Sequence, residues 1–173
     1  MKRKSLLSWV GLVVLVALVI VPGSAAASAN RVGFSGIEVP TGPPVVHGDW
    51  IELPSGNVHG RGMISVYQEN ASDWRMSGLN TVVMNANWGP DLAGPQWGTA
   101  ELVIAESEEC PGGGIWQGNW TGMMNADGSF TYSAVVRGVS GCVAGLKASL
   151  TAFNPGGDVL TTYTGEILDP RDE

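Results

Sequence analysis

The chain has 173 residues, 25 of them glycine, with two cysteines and a formal charge of −7. Three of its nine Lys and Arg (Lys2, Arg3 and Lys4) stand at the start, so residues 30–173 hold six against sixteen Asp and Glu, a formal −10. A surface that acidic repels phosphate backbones and anionic lipid, which excludes nucleic acid as a partner.

The first 29 residues are expected to be a signal peptide. The basic start is followed by an apolar run from Leu6 to Val21, a Pro22-Gly23 break, and "AAASA", whose small residues suit cleavage after Ala29. That order is the three-part layout of an export signal, and the run is shorter than the ~20 residues a membrane span requires. No second hydrophobic run follows, so no membrane span is expected in the mature chain, and the protein is expected to be secreted or periplasmic. Residues 30–46, "NRVGFSGIEVPTGPPVV", contain a Pro-Pro pair and are read as a linker or a strand lying on the surface.

From residue 47 the pattern is period two between turn residues, which reads as strands rather than helices. Eight are expected, at 47–53, 58–68, 78–87, 97–105, 114–124, 129–139, 145–153 and 159–168. "PSGN", "NADG" and "NPGGD" make short connections between neighbours. An all-β, antiparallel, up-and-down barrel follows, because eight hairpin-linked strands suffice to close a ring and remove both edges. The barrel domain is placed at 47–168 and a charged tail, "DPRDE", at 169–173.

Cys110 and Cys142 supply a test of that topology. Two cysteines in an exported domain read as one disulfide. Cys110 lies between the fourth and fifth expected strands and Cys142 between the sixth and seventh, and alternate loops of an up-and-down barrel share an end.

The strongest strands divide into two faces. In 114–124, Trp116, Gly118, Trp120, Gly122 and Met124 alternate with Ile115, Gln117, Asn119, Thr121 and Met123. The next strand alternates Phe130, Tyr132, Ala134 and Val136, and the one after it Leu146, Ala148, Leu150 and Ala152. Trp116, Trp120 and Tyr132 are therefore expected to face inward, as core or, in a hollow barrel, as a pocket wall. In "LNTVVMNANW" both faces mix polar and apolar residues, and Asn85 and Asn87 are taken as polar lining of the barrel mouth. Arg137 is a candidate anchor for an anionic ligand.

Catalytic residues are few. His47 and His59, with Asp49 and Glu52, flank the first hairpin but match no metal or acid–base motif. Glu101 and Glu166 are the carboxylates considered for general acid–base work, although a charged strand residue ordinarily faces solvent. Asp73 and Arg75, two apart, are expected to pair at a barrel rim. "ESEEC" lacks the regular oxygen spacing of a calcium loop. No cofactor and no metal is expected.

With "GTAELVI", "GNWTGMMNADGSFTY" and "GLKASLTAF" in hand, residues 47–168 resemble the allene-oxide-cyclase-type barrels. The resemblance is one of rhythm and implies a barrel with an apolar cavity and self-association, hence a possible homo-oligomer. The Gly-x-Trp at Gly48–Trp50 and Gly114–Trp116 is similar to that of lipocalins, without their companion motifs. The expected function is an exported, non-catalytic barrel that binds a small apolar or amphipathic ligand, or a partner surface. Two alternatives stay open: a cyclase- or isomerase-type enzyme using the cavity, and a glycan-binding module using Trp50, Trp74, Trp88 or Trp97.

Overall fold

The computed structural model describes residues 30–157 and 159–170. The expected signal peptide and most of the charged tail lie outside the described residues. Nine strands follow in chain order: β1 (Asn30–Pro40), β2 (Asp49–Glu52), β3 (Val58–Ala71), β4 (Gly78–Trp88), β5 (Gly94–Ile104), β6 (Gly114–Met124), β7 (Phe130–Gly141), β8 (Lys147–Asn154) and β9 (Thr161–Asp169). A single 3-10 turn at Trp74–Met76 separates β3 from β4.

All pairings are antiparallel, and the sheet runs β1-β9-β8-β7-β6-β5-β4-β3-β2, with β1 pairing β3 as well. The sheet therefore closes in a barrel-like ring of β1 and β3 to β9. The all-β up-and-down architecture is as expected, but one of its strands is not. Residues 30–40, read as a linker or surface strand, form β1 and pair along both edges, from Asn30↔Asp169 to Glu38↔Thr161 and from Gly36↔Ala71 to Pro40↔Tyr67. The prolines do not prevent this, because β1 ends at Pro40 and Pro43-Pro44 fall in the irregular stretch that follows. The segment expected as the first barrel strand shrinks to β2, four exposed residues attached to the outer end of β3.

Period-two burial runs through the wall strands, as in β9, where Thr161, Tyr163, Ile167 and Asp169 are buried and the residues between them are not. Such alternation sends one face to the interior and the other to water. A bulge interrupts β3 between Gly60 and Met63, with Gly62 at a φ of 70°. It turns the outer part of β3 toward β2, while the inner part stays in the ring.

One end of the ring is shut. Met76, from the 3-10 turn, packs with Leu102, Ile104, Trp116, Leu146 and Ile167, all buried. Trp116 Nε1 donates to the Arg75 carbonyl at 2.7 Å, fixing the turn over the indole. Asp73 accepts from the Arg75 backbone N–H and, through both carboxylate oxygens, from its guanidinium at 2.7 and 3.0 Å. Arg75 also lies 3.9 Å from the Asp169 carboxylate. The expected Asp73–Arg75 pair thus forms, in a tight turn rather than along an extended strand.

Cys110 and Cys142 are disulfide-bonded at this same end, with Cα atoms 5.3 Å apart and a separation of 32 positions in sequence. The bond ties the β5–β6 and β7–β8 connections together. Constraining a loop of that length in the unfolded chain is worth on the order of 3 kcal/mol.

Candidate functional site

The opposite end of the ring is open. Its cavity has a volume of about 600 Å³ and is walled by Met63, Met84, Met124, Phe130, Trp88 and Trp120, with Glu38 and Tyr67 among its polar lining. Beneath it, Trp120 and Tyr132 also border a smaller cavity of about 50 Å³ that reaches Glu69, Asn80 and Tyr163. Trp120 spans the interior because Gly98 leaves room. Its Nε1 donates across β5 to the Val83 carbonyl at 3.2 Å, and a methyl group at Gly98 would meet that nitrogen at 3.1 Å. Phe130 and Tyr132 meet Trp120 edge-on, with ring centroids 6.1 and 5.9 Å away, a favoured aromatic geometry.

Between the two cavities stand two carboxyl groups. Glu38 of β1 and Glu69 of β3 are direct partners across the junction that closes the ring, and their side chains are only 9% and 5% exposed. Like charges placed opposite one another in a sheet repel, and burial removes the water that would screen them. Tyr132 Oη donates to Glu38 Oε2 at 2.9 Å, and Asn80 Nδ2 donates to Glu69 Oε1 at 2.8 Å. Glu69 Oε2, Asn80 Oδ1 and the Tyr163 hydroxyl are buried without a hydrogen bond of good geometry. The Tyr163 ring lies over Gly36, where a methyl group would meet it at 2.5 Å.

These surroundings set the ionisation. Burial, then the negative charge of Glu69, push the Glu38 pKa up to about 7, against the pull of hydrogen bonds from Tyr132 and Thr161. Burial also raises Glu69, opposed by Asn80, Tyr163 and Glu38. The contact between the carboxyls raises Glu38 and lowers Glu69, so the retained proton sits on Glu38. All three tyrosines of the chain, Tyr67, Tyr132 and Tyr163, are raised by burial and by the two glutamates. They act as hydroxyl donors, not as phenolates. Near neutral pH the pair accordingly keeps a proton in much of the population, within hydrogen-bond reach of a cavity.

Two residues that line the open cavity carry polar groups without partners. Trp88 Nε1 and Gln96 Nε2 are buried and unpaired, and both residues line it. A buried donor left unmade is costly, so these N–H groups call for an acceptor.

The sequence-predicted residues divide sharply. Trp116 is fully buried against the plug and borders only the smaller cavity, as Tyr132 does, whereas Trp120 walls both cavities. Asn85 and Asn87, expected at the mouth, lie on the outer face and fasten the β3 bulge. Asn85 Oδ1 accepts from the Gly62 N–H at 3.2 Å, and Asn87 Oδ1 accepts from Arg61 at 2.8 Å. Arg137 also faces outward, opposite Gln117 and Lys147. Among the carboxylates considered for chemistry, Glu101 accepts from Gln117 on the outside and Glu166 pairs with exposed Arg31. His47 is exposed beside β2, and His59 stands opposite Ile51. The four tryptophans weighed for sugar stacking make no common platform: Trp50 and Trp88 stack on one another at 5.2 Å, and Arg61 lies over the Trp97 ring.

Glu38, Glu69 and Asn80 are the polar residues that the sequence reading did not single out as a site. Glu38 belongs to the strand set aside as linker, and Glu69 lies one residue beyond the expected end of the 58–68 strand. Their signal was parity, since Glu69 follows Ser65 and Tyr67 on one face. No family model, curated protein or solved structure matches the chain, so its function rests on the site itself.

Proposed function

We propose that this chain is an exported, non-catalytic barrel that takes up one small amphipathic molecule through its open end. The observation that carries the reading is the open cavity of about 600 Å³, apolar and methionine-rich at its wall and polar at its floor. Binding sites for small organic molecules are commonly concave and apolar with a few placed polar groups, and methionine adapts its shape to what it covers. Export is supported by the Cys110–Cys142 bond, since disulfides persist in oxidising compartments. A cavity of this kind also agrees with what the resemblance to allene-oxide-cyclase-type barrels implies.

Titrating intrinsic tryptophan fluorescence with a panel of amphiphiles and a panel of glycans tests the reading. Amphiphiles are expected to shift the emission, and Trp120→Phe is expected to remove most of that response. A shift with glycans alone would replace the reading with carbohydrate binding. Silence from both panels would end both.

The carboxyl pair favours a second reading, an enzyme of the cyclase or isomerase kind. A carboxyl held near neutrality is poised to give and take a proton at working pH. In that case a bound ligand would exchange an acidic C–H for deuterium in heavy water with the wild-type chain and not with Glu38→Gln. Binding without exchange leaves the first reading in place.

A further inference from the structure

We propose that the molecule taken up is an organic cation, a protonated amine with an apolar body and a hydrogen-bond acceptor at its far end, seated with its ammonium on the Glu38–Glu69 pair. This assignment rests on the ligand-binding reading above and specifies its chemistry.

Four observations converge on it. The two carboxyls are opposed inside the ring, and among the described residues no ion pair reaches either of them; the ion pairs found join Arg31 to Glu166 and Arg75 to Asp73 and Asp169. Apolar residues of similar size would fill that space at less cost than two buried acids, which makes a counter-charge from outside the natural complement. Oxygen atoms with unused capacity surround the spot: Glu69 Oε2, Asn80 Oδ1 and the Tyr163 hydroxyl, enough to receive the N–H groups of an ammonium. The wall beside it is aromatic, with Trp120, Tyr132 and Phe130 clustered, and ring faces attract cations. Trp88 and Gln96, which line the open cavity, hold buried N–H groups with no acceptor, and an acceptor on the ligand gives it its second end.

The alternatives fit less well. An anionic ligand would meet two acids. A hard metal ion such as calcium takes six to eight oxygens, whereas much of this surface is indole, phenyl and thioether. The formal −10 of residues 30–173 also draws cations toward the chain.

Uptake carries a proton balance. The groups facing Glu38 and Glu69 are Tyr67 of β3, Asn80 of β4, Tyr132 of β7, and Tyr163 and Thr161 of β9, none of them cationic. With Glu38 half-protonated near pH 7, an arriving ammonium displaces the retained proton to buffer, so affinity rises with pH until Glu38 is fully ionised.

The test is isothermal titration calorimetry of residues 30–173 with three probes of one skeleton: tyramine, its alcohol tyrosol, and 4-hydroxyphenylacetate. Tyramine is expected to bind at least about tenfold more tightly than tyrosol, a gap of ~1.4 kcal/mol, with the carboxylate weakest. Its apparent heat at pH 7 should depend on the ionisation enthalpy of the buffer, reporting proton release. Glu38→Gln should abolish the buffer dependence, and Glu38→Gln combined with Glu69→Gln should abolish the preference as well; a cooperative melt shows that each variant is folded. Equal binding of the three probes would overturn the cation assignment and leave amphiphile binding standing. Tighter binding of the carboxylate, or a melting temperature raised by calcium alone and not by tyramine, would overturn it too. If no probe binds and no amphiphile shifts the fluorescence, the ligand-binding reading itself fails.

Discussion

At the closed end Trp116 gives its N–H to the Arg75 carbonyl, Asp73 holds the guanidinium, and the disulfide joins two neighbouring loops. At the open end Trp88 and Gln96 keep buried N–H groups with no acceptor, and two carboxyls face each other at the floor. One strand serves both ends, since Trp116 and Trp120 are four residues apart on the same face of β6. The difference teaches where stability and function separate in this ring. Polar groups that are fully paired mark the part that holds the fold together, and polar groups left unpaired mark the part that awaits something.

The largest effect expected from that contrast is on Trp116. Replacing it by Ala removes a fully buried indole and strips the Arg75 carbonyl of its donor, at a cost of about 3–5 kcal/mol. Trp120→Ala should cost clearly less, because its ring also borders the large open cavity, which Trp116 does not reach, yet it should impair ligand uptake more. Denaturant unfolding of both variants, beside fluorescence titration, checks the two halves separately. Equal destabilisation by the two would break the division between plug and pocket.

Next in size is a dependence on pH. Glu38 ionises near its ordinary value of 4.5 in the unfolded chain and near 7 in the fold, so below 4.5 it contributes nothing. Between those values the unfolded state loses its proton first, and stability falls as pH rises, levelling off above 7. The full loss is at most roughly 3 kcal/mol. Asp73, whose carboxyl Arg75 holds below the usual range, acts in the opposite sense at the closed end, and its contribution is lost as pH falls through that depressed value. Melting curves from pH 4.5 to 8 should therefore decline for the wild type and decline less steeply for Glu38→Gln, in which the buried Glu69 still titrates. A rising wild-type curve over that interval would contradict the burial of an unpaired carboxyl.

The closed end was the more legible of the two in the sequence. Alternation put Trp116, Trp120 and Tyr132 inside, and strand count put Cys110 and Cys142 at one end, because both features depend on local period and on counting hairpins. The floor of the cavity depends on β1, and β1 has no local signature that separates it from a linker. Its glycines at 33 and 36, its terminal Pro40 and the Pro43-Pro44 pair that follows depress strand propensity, and only pairing on both edges makes it a strand. With β1 missing, Glu38 had no face and Glu69 had no partner. Asn85 and Asn87 were misplaced for a related reason: in β4 polar residues occur on both faces, so composition did not say which side was in. The bulge they fasten in β3 depends on a tertiary contact.

The smallest expected effect sharpens the same comparison from the outside. Arg137 was a candidate ligand anchor on charge alone, yet its side chain stands on the outer face of β7, beside Lys147 and Gln117. Inward neighbours Val136 and Gly138 separate it from the interior, and a strand offers no route by which its side chain could turn through the wall. Arg137→Ala should then change stability by no more than about 0.5 kcal/mol, as at other exposed positions, and leave tyramine affinity unchanged within error. Removing one positive charge from an acidic surface would, if anything, favour a cation's approach slightly at low salt, an effect that added salt should erase. A salt-independent loss of affinity in this variant would mean that the outer face takes part in binding, and the assignment of recognition to the ring's interior would have to be given up.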